Sequence, residues 1–193
     1  MNTPSPVFVY AESTPNPLTL KFVVNRGLLP DRSVEYLNVG EASDSPIAVT
    51  LFSHPFVSSL YITRNFITVT RHNEYEWVEI MPQIRESIRV FLESGESPFS
   101  RLPEKEEIVI ENKQPLGETE SKIIEILDEY IRPAVEQDGG EIAFKQFENG
   151  IVHLVLKGSC SGCPSSTFTL KAGIEQLLCK MVPGVQGVMA ENG

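Results

Sequence analysis

Strand-like runs dominate the first third of the chain. Residues 18–24 alternate between apolar and polar side chains, as a half-buried strand does. Residues 59–63 and 66–70 form two further strand-like runs, separated only by Arg64 and Asn65. Because Asn tolerates the backbone conformation of tight turns, this spacing predicts a β-hairpin.

An amphipathic helix is predicted after this hairpin. Pro82 is expected in its first turn and Gly95 just past its end, where these two residue types are favoured. The apolar residues that recur at helical spacing are Ile80, Ile84, Ile88, Phe91 and Leu92. The strands and the helix together predict an α+β domain over residues 1–95.

A linker is predicted over residues 96–117, where glutamates are frequent. Its prolines are Pro98, Pro103 and Pro115. Proline interrupts regular structure and like charges repel each other, so an extended tether is expected. Residues 108–110, Ile-Val-Ile, are an apolar exception that is suited to packing on a domain.

The last part, residues 118–193, begins with a predicted helix that Pro133 is expected to end. The apolar stripe of this helix consists of Ile123, Leu127, Tyr130 and Ile131. Two apolar runs follow, 142–147 and 151–156. Residues 149–150 between them are Asn-Gly, which is a strong hairpin signal.

A second helix is predicted to start near Pro164, after a glycine-containing loop at residues 158–163. Its buried face is expected to comprise Ile174, Leu177, Leu178 and Met181. A last strand is predicted at residues 185–189. The order of elements in this part is therefore helix, hairpin, helix and strand.

The predicted fold class is α+β, with two small mixed domains at 1–95 and 118–193 joined by the charged linker 96–117. The chain has 193 residues, enough for two domains that each bury a usable core. Its formal net charge of −10 argues against nucleic acids and anionic membranes as partners. An acidic surface suits transient docking to basic partners.

No apolar run approaches the roughly 18 residues that a membrane-spanning helix needs. The first six residues, MNTPSP, lack the basic start and apolar core of a signal peptide. Strand-like sequence follows almost at once, which leaves little room for a transit peptide. These patterns predict a cytoplasmic protein with no membrane partner.

The chain has three cysteines, Cys160, Cys163 and Cys179. An odd, small number makes a poor disulfide framework. Two cysteines that lie only three positions apart point instead to metal or redox chemistry, if the compartment is reducing.

The loop that carries Cys160 and Cys163 is built for a bulky ligand. Gly158 and Gly162 allow turn conformations and leave space beside the sulfur atoms. Two cysteines at this spacing in a loop can direct both sulfurs to one metal centre.

Pro164 is expected at the first position of the following helix, where its missing amide costs nothing. Cys163 would then lie at the helix N-terminus, where free amides and the helix dipole lower the pKa of a thiol. Ser165 and Ser166 could donate hydrogen bonds to cluster sulfides, although serines in a first turn also serve as helix caps.

The spacing alone leaves three interpretations open: a metal or cluster site, a redox pair, or an incidental pair. Thioredoxin-like pairs usually have proline between the cysteines, and this chain has Ser-Gly at 161–162. A structural zinc site needs four ligands from one chain, which this sequence does not offer at suitable spacing. A cuboidal iron–sulfur cluster needs four thiolates, so two chains with two thiolates each would predict a labile cluster shared between subunits.

Other residues that attract a functional interpretation have simpler explanations. Residues 138–140, Asp-Gly-Gly, predict a tight turn that closes a strand. Cys179 is expected to be a buried helical cysteine instead of a third ligand. The three histidines share no ligand spacing and are expected to be structural or exposed; they are His54, His72 and His153.

Several motifs resemble a known family. Four motifs resemble the C-terminal domain of NifU, which Nfu proteins share. They are residues 131–133 (IRP), 138–140 (DGG), 158–166 (GSCSGCPSS) and 170–175 (LKAGIE). Two further motifs resemble the N-terminal domain of Nfu proteins. They are residues 14–22 (TPNPLTLKF) and 65–70 (NFITVT). The resemblance covers nearly the whole chain except the linker.

The resemblance implies a non-catalytic iron–sulfur cluster scaffold or carrier. It implies a 4Fe–4S cluster, with 2Fe–2S as the alternative, that Cys160 and Cys163 bridge between two subunits of a homodimer. An upstream donor would supply the cluster, and apo iron–sulfur proteins would accept it by ligand exchange. The neighbouring residues of the cluster would be Gly158, Gly162, Ser165 and Ser166.

A thiol–disulfide oxidoreductase is the alternative function. In that case Cys160 would be the nucleophile and Cys163 the resolving cysteine. In the carrier interpretation, the first domain, which contains no cysteine, is expected to recognise partners or to regulate docking.

Overall fold

The computed structural model describes residues 6–103, 117–161 and 164–192. It contains two compact units, Met1–Lys105 and Glu106–Gly193. Each unit combines helices with a sheet, which confirms the predicted α+β fold class.

The first unit is a five-stranded antiparallel sheet with two helices packed on one face. Its elements are β1 (Val9–Ser13), β2 (Thr19–Val24), β3 (Leu29–Tyr36), a 3₁₀ turn (Val39–Glu41), α1 (Pro46–Phe52), β4 (Val57–Arg64), β5 (Phe66–Arg71) and α2 (Trp77–Glu93). The strand order is β1-β2-β5-β4-β3. The core lies between this sheet and the helices, where Phe22, Ile67 and Ile84 are fully buried.

The hairpin and the helix predicted in this unit are confirmed. Thr63 of β4 pairs with Phe66 of β5, so the turn consists of the two residues between them, and Arg64 takes a φ of 27°. The five apolar positions predicted for α2 are all buried. Gly95 follows its end with a φ of 79°, a conformation that glycine adopts without strain.

The position predicted for Pro82 is wrong. Because α2 already begins at Trp77, Pro82 lies inside the helix and not in its first turn. A proline there removes one hydrogen bond of the helix. Pro82 is exposed, so water can donate a hydrogen bond to the carbonyl four residues earlier, which has no helical amide as its partner.

The beginning of the predicted linker packs on the first unit. Phe99 is buried in the core of that unit. Ser45 Oγ donates a hydrogen bond to the Pro98 carbonyl at 3.0 Å, and Arg32 Nη1 donates to the Pro103 carbonyl at 2.7 Å. Residues 104–116, with the apolar run 108–110, lie outside the described residues. The domain bounds 1–95, 96–117 and 118–193 therefore stay predictions.

The second unit has a three-stranded sheet with helices packed against it. Its elements are α3 (Glu118–Ile126), a π-helical turn (Leu127–Ile131), α4 (Arg132–Gln137), β6 (Gly140–Glu148), β7 (Ile151–Gly158), α5 (Pro164–Met181) and β8 (Gly187–Asn192). The strand order is β6-β7-β8, with β6 antiparallel and β8 parallel to β7. The predicted order of helix, hairpin, helix and strand is confirmed, although β8 begins two residues later than expected.

The hairpin turn follows the Asn-Gly prediction. Asn149 and Gly150 have φ values of 51° and 81°, the left-handed pair that a two-residue hairpin turn requires. Behind the hairpin, Leu154 packs in a core that also contains Ile123 and Ile174.

Pro133 does not end the helix, contrary to the sequence prediction. The backbone widens into a π turn, and the Arg132 amide bonds to the Leu127 carbonyl five residues back. A π turn inserts one residue into the helical spiral, so the proline is accommodated and the helix continues to Gln137. The insertion also shifts the helical faces, and Tyr130, predicted on the buried stripe, is half-exposed.

No helix in the described ranges combines the length and the apolar character that crossing a membrane requires.

Limited digestion with trypsin is expected to cut at Lys105 or Lys113 before it cuts at Arg101. Arg101 follows Ser100, whose amide and hydroxyl both donate to the Asp44 carbonyl, at 2.8 and 3.0 Å. Proteases cut chain that can leave the fold, so this anchor should delay cleavage at Arg101. Mass spectrometry gives the order of the cuts. A first cut at Arg101 would show that the Ser100 hydrogen bonds do not protect this segment. A linker that stays uncut would contradict the prediction of an extended tether.

Candidate functional site

The open end of the β6–β7 hairpin positions the thiol loop. Gly140 at the start of β6 pairs with Gly158 at the end of β7. The turn before β6 therefore lies beside the loop after β7, although about twenty residues separate them in sequence. Gly139 and Gly158 have φ values of 81° and 68°, which favour glycine at both bends.

Ser159 ties the turn and the loop together. Its amide donates to the Gly139 carbonyl at 3.2 Å and its hydroxyl to the Asp138 carbonyl at 2.5 Å. Ser161 closes the loop on itself, because its amide and hydroxyl both donate to the Gly158 carbonyl, at 3.1 and 2.8 Å. The turn at 138–140, predicted only to close a strand, thus also holds the loop of the candidate site.

Cys160 is buried, with 7% of its surface exposed, and it packs in the core of the second unit. Its sulfur lies 3.8 Å from Ser159 Oγ. Gly140 leaves the space that this sulfur occupies. A Cβ at position 140 would lie 2.8 Å from Cys160 Sγ and 2.8 Å from the Lys157 carbonyl oxygen, closer than carbon can approach either atom.

Gly140 is therefore a site residue that the sequence reasoning missed. Unlike Gly139, it does not have a positive φ, so the requirement for glycine comes from space and not from backbone conformation. The signal in the sequence was the second glycine of Asp-Gly-Gly, since a tight turn alone explains only one of the two.

Burial raises the pKa of the Cys160 thiol to about 11; the hydrogen bond with the Ser159 hydroxyl lowers that pKa, and the Asp138 carboxylate raises it. At neutral pH the free thiol therefore keeps its proton. A thiol with a raised pKa is a poor nucleophile, because the thiolate is the reactive form.

The other predicted site residues are described only in part. Ser165 and Ser166 lie in the first turn of α5, which begins at Pro164 as predicted. Their side chains, and the whole of Gly162 and Cys163, lie outside the described residues. The roles assigned to these four residues stay predictions.

The remaining cysteine and the histidines do not join this site. Cys179 is exposed on α5, so the prediction of a buried cysteine is wrong; it lies next to the buried Leu178 but faces away from the core. His54 Nε2 hydrogen-bonds Ser87 Oγ at 2.8 Å, and His153 lies 3.9 Å from a Glu191 carboxylate oxygen. Among the described residues, no group of three or more His, Cys, Asp or Glu side chains could hold a metal ion.

Two family models match the chain, one over each unit. The model described as "Scaffold protein Nfu/NifU N terminal" matches residues 9–95. The model described as "NifU-like domain" matches residues 123–189. The second match contains the whole hairpin, the thiol loop and α5.

Curated relatives match almost the whole chain. The human protein named "NFU1 iron-sulfur cluster scaffold homolog, mitochondrial" is 39% identical over 191 residues, which cover 94% of this chain and 71% of that protein. "NifU-like protein 4, mitochondrial" of Arabidopsis thaliana is 37% identical, over 96% of this chain and 66% of that protein. A solution structure of a NifU-like protein from Saccharomyces cerevisiae matches 52% of this chain and 91% of its own, with 28% identity and a TM-score of 0.46.

The names of these relatives contradict the predicted cytoplasmic location. The human and Arabidopsis relatives are named as mitochondrial proteins. Targeting segments are removed from mature proteins, so the absence of such a pattern from the first residues was a poor guide to the compartment.

Replacing Gly140 with alanine is expected to destabilise the second unit. The new Cβ would force Cys160 or the β7 backbone to move, and overpacking of this kind costs about 1–3 kcal/mol. Gly173→Ala in α5 is the matched control, because a Cβ at that position meets nothing within 4 Å. It should be neutral or stabilise the helix by about 0.5–1 kcal/mol. Urea unfolding followed by far-ultraviolet circular dichroism compares the two. Equal stability of the two variants would contradict the close packing of Gly140.

Alkylation of the cluster-free protein with iodoacetamide at pH 8 should reach Cys179 well before Cys160. Raising a thiol pKa from 9.0 to about 11 lowers the thiolate fraction about 100-fold at this pH, and burial slows access further. Tandem mass spectrometry over time assigns each modification. Between pH 8 and 10, the rate at Cys160 should still rise about tenfold per pH unit, because deprotonation is far from complete. Rapid labelling of Cys160 at pH 8 would be inconsistent with its burial.

Proposed function

This chain belongs to the Nfu and NifU-like family of scaffold proteins, and on that premise we propose that it carries an iron–sulfur cluster between two copies of itself. The cluster is cargo: an upstream donor supplies it and apo iron–sulfur proteins receive it. The names of the relatives, which include iron-sulfur cluster scaffold proteins, support this class of cargo. The proposed form is 4Fe–4S, with 2Fe–2S as the alternative.

The observation that carries the proposal is the construction around Cys160. The turn at 138–140 and the loop at 158–161 are hydrogen-bonded to each other at the open end of the hairpin. The glycine at position 140 leaves space for the Cys160 sulfur. This arrangement fixes one thiol in position before any ligand arrives. Cys163 follows Cys160 by three positions in the sequence, and we propose that it is the second ligand.

The number of thiols is the argument for a second chain. Cys179 lies 15 residues beyond the start of α5, which is roughly 22 Å along the helix axis. It therefore cannot reach a cluster that Cys160 holds. A cuboidal cluster takes four thiolates, so two chains that each provide Cys160 and Cys163 would complete the set.

Delivery would proceed by exchange of ligands. Cysteines of an acceptor replace the carrier's thiolates one at a time, and tighter ligation at the final site drives the transfer. No covalent bond of the polypeptide is made or broken in this process. The proposed role is therefore non-catalytic.

The alternative, a thiol–disulfide oxidoreductase, is disfavoured by the same geometry. Such an enzyme needs an accessible thiolate before its substrate arrives, whereas a bound metal ion itself deprotonates the thiol that coordinates it. Cys160 is buried and its pKa is raised to about 11. We further propose that the first unit, which contains no cysteine, recognises partners.

Anaerobic reconstitution with iron and sulfide tests the ligands. Wild-type protein should take up about one cluster per two chains and turn brown. Cys160→Ser and Cys163→Ser should each lose stable binding, because each variant removes two of the four thiolates that a bridged cluster needs. Cys179→Ser is the matched control and should bind as the wild type does. Iron and sulfide analysis gives the stoichiometry, and Mössbauer spectroscopy gives the cluster type.

Full iron loading of Cys163→Ser would exclude Cys163 as a ligand. A wild-type protein that stays colourless after reconstitution but exchanges disulfides with thiol substrates would favour the oxidoreductase.

A further inference from the structure

Helix α5 carries a large aromatic side chain on its outer face. One side of the helix packs in the core through Ile174 and Leu178, which are almost completely buried. Phe168 lies on another side, and 74% of its surface is exposed. The outer face of a surface helix is usually polar, so this phenylalanine departs from the pattern.

The place of Phe168 sets it apart from other exposed apolar residues. Single apolar side chains at a surface are common and need no explanation. Phe168, however, lies four residues after the start of α5 at Pro164, which is only about 6 Å along the helix axis. In sequence it follows Cys163 by five residues. It therefore projects from the end of the helix that adjoins the thiol loop.

We propose that Phe168 packs against the second copy of the chain in the cluster-bridged dimer. This inference rests on the proposed function, because the cluster is what brings the two copies together. Bonds between metals and thiolates are short, about 2.3 Å for zinc. Four thiolates on one cluster therefore bring the two loops within a cluster's width of each other, and the adjoining ends of both α5 helices come with them.

In a symmetric dimer, the contact of Phe168 with the second copy would occur twice. A two-fold interface presents the same patch from both subunits, so one Phe168 from each copy would be covered. The loop at 158–161 offers mainly small and polar residues, and these supply little apolar area. Phe168 would provide that area beside the cluster and would keep water away from it.

The second copy is a better occupant than an acceptor protein. Since one chain has only two thiols near this loop, a second copy is present whenever the cluster is loaded. An acceptor is present only during transfer. A side chain that covers the rim of the bridged cluster is therefore useful for the whole lifetime of the loaded state.

The test compares Phe168→Ala with Met189→Ala after anaerobic loading. Met189 is also exposed and apolar, but it pairs with His153 on β7, five residues before the strand end, or about 17 Å from the loop. Sedimentation velocity over a range of concentrations gives the Kd of each loaded dimer. Phe168→Ala should raise the Kd about tenfold or more, Met189→Ala should leave it unchanged, and Phe168→Leu should restore most of the affinity.

A photo-cross-linker provides a test that does not depend on the strength of the dimer. With p-benzoylphenylalanine in place of Phe168, illumination should give covalent dimers in the loaded protein and only monomers after the cluster is removed. The same group in place of Met189 should give none in either state. This arm decides the matter if Phe168→Ala cannot be loaded.

The outcomes separate the contact from the function. A wild type that takes up no cluster overturns the proposed function and this inference with it. A loaded wild-type dimer whose Kd is unaffected by Phe168→Ala overturns only the contact. If the dimer is unaffected but transfer to an apo-ferredoxin slows, Phe168 belongs to acceptor docking and the inference is wrong.

Discussion

The close approach of Gly140 to the Cys160 sulfur sets the geometry of the candidate site. Two backbone bends, each at a glycine with positive φ, bring the turn at 138–140 against the loop at 158–161. The hydrogen bonds of Ser159 hold them there. The sulfur fills the space that a side chain at position 140 would occupy. The hairpin β6–β7 supplies the frame, and Cys160 itself packs in the core of the second unit.

Local signals in the sequence were sufficient for the elements that depend on neighbouring residues. Asn149 and Gly150 specify their hairpin turn by backbone conformation alone. Helix α2 follows from the spacing of its apolar residues. Other elements carry weaker signals. Helix α1 has only seven residues, including the β-branched Val49 and Thr50, and β3 contains Pro30, so no pattern distinguished them.

The features that sequence patterns did not reveal depend on the surrounding fold. A CxxC motif implies nothing about burial, because the burial of Cys160 depends on Gly140, some twenty residues earlier. A proline normally ends a helix, but the π turn at Leu127–Ile131 accommodates Pro133, and residues on both sides of it, Ile123 and Val135, pack in one core. The CxxC spacing therefore marked Cys160 and Cys163 as the candidate thiols, whereas the packing of Cys160 on Gly140 depends on the fold.

The burial of Cys160 has a consequence for the protein between rounds of delivery. Oxidants convert cysteine to sulfenic acid and then to irreversible sulfinic and sulfonic acids, and they attack exposed thiolates first. A thiol that is protonated and enclosed by the core is poorly suited to that chemistry. The empty protein would thus keep Cys160 chemically intact while it waits for its next cargo, and exposed Cys179 would be oxidised before it.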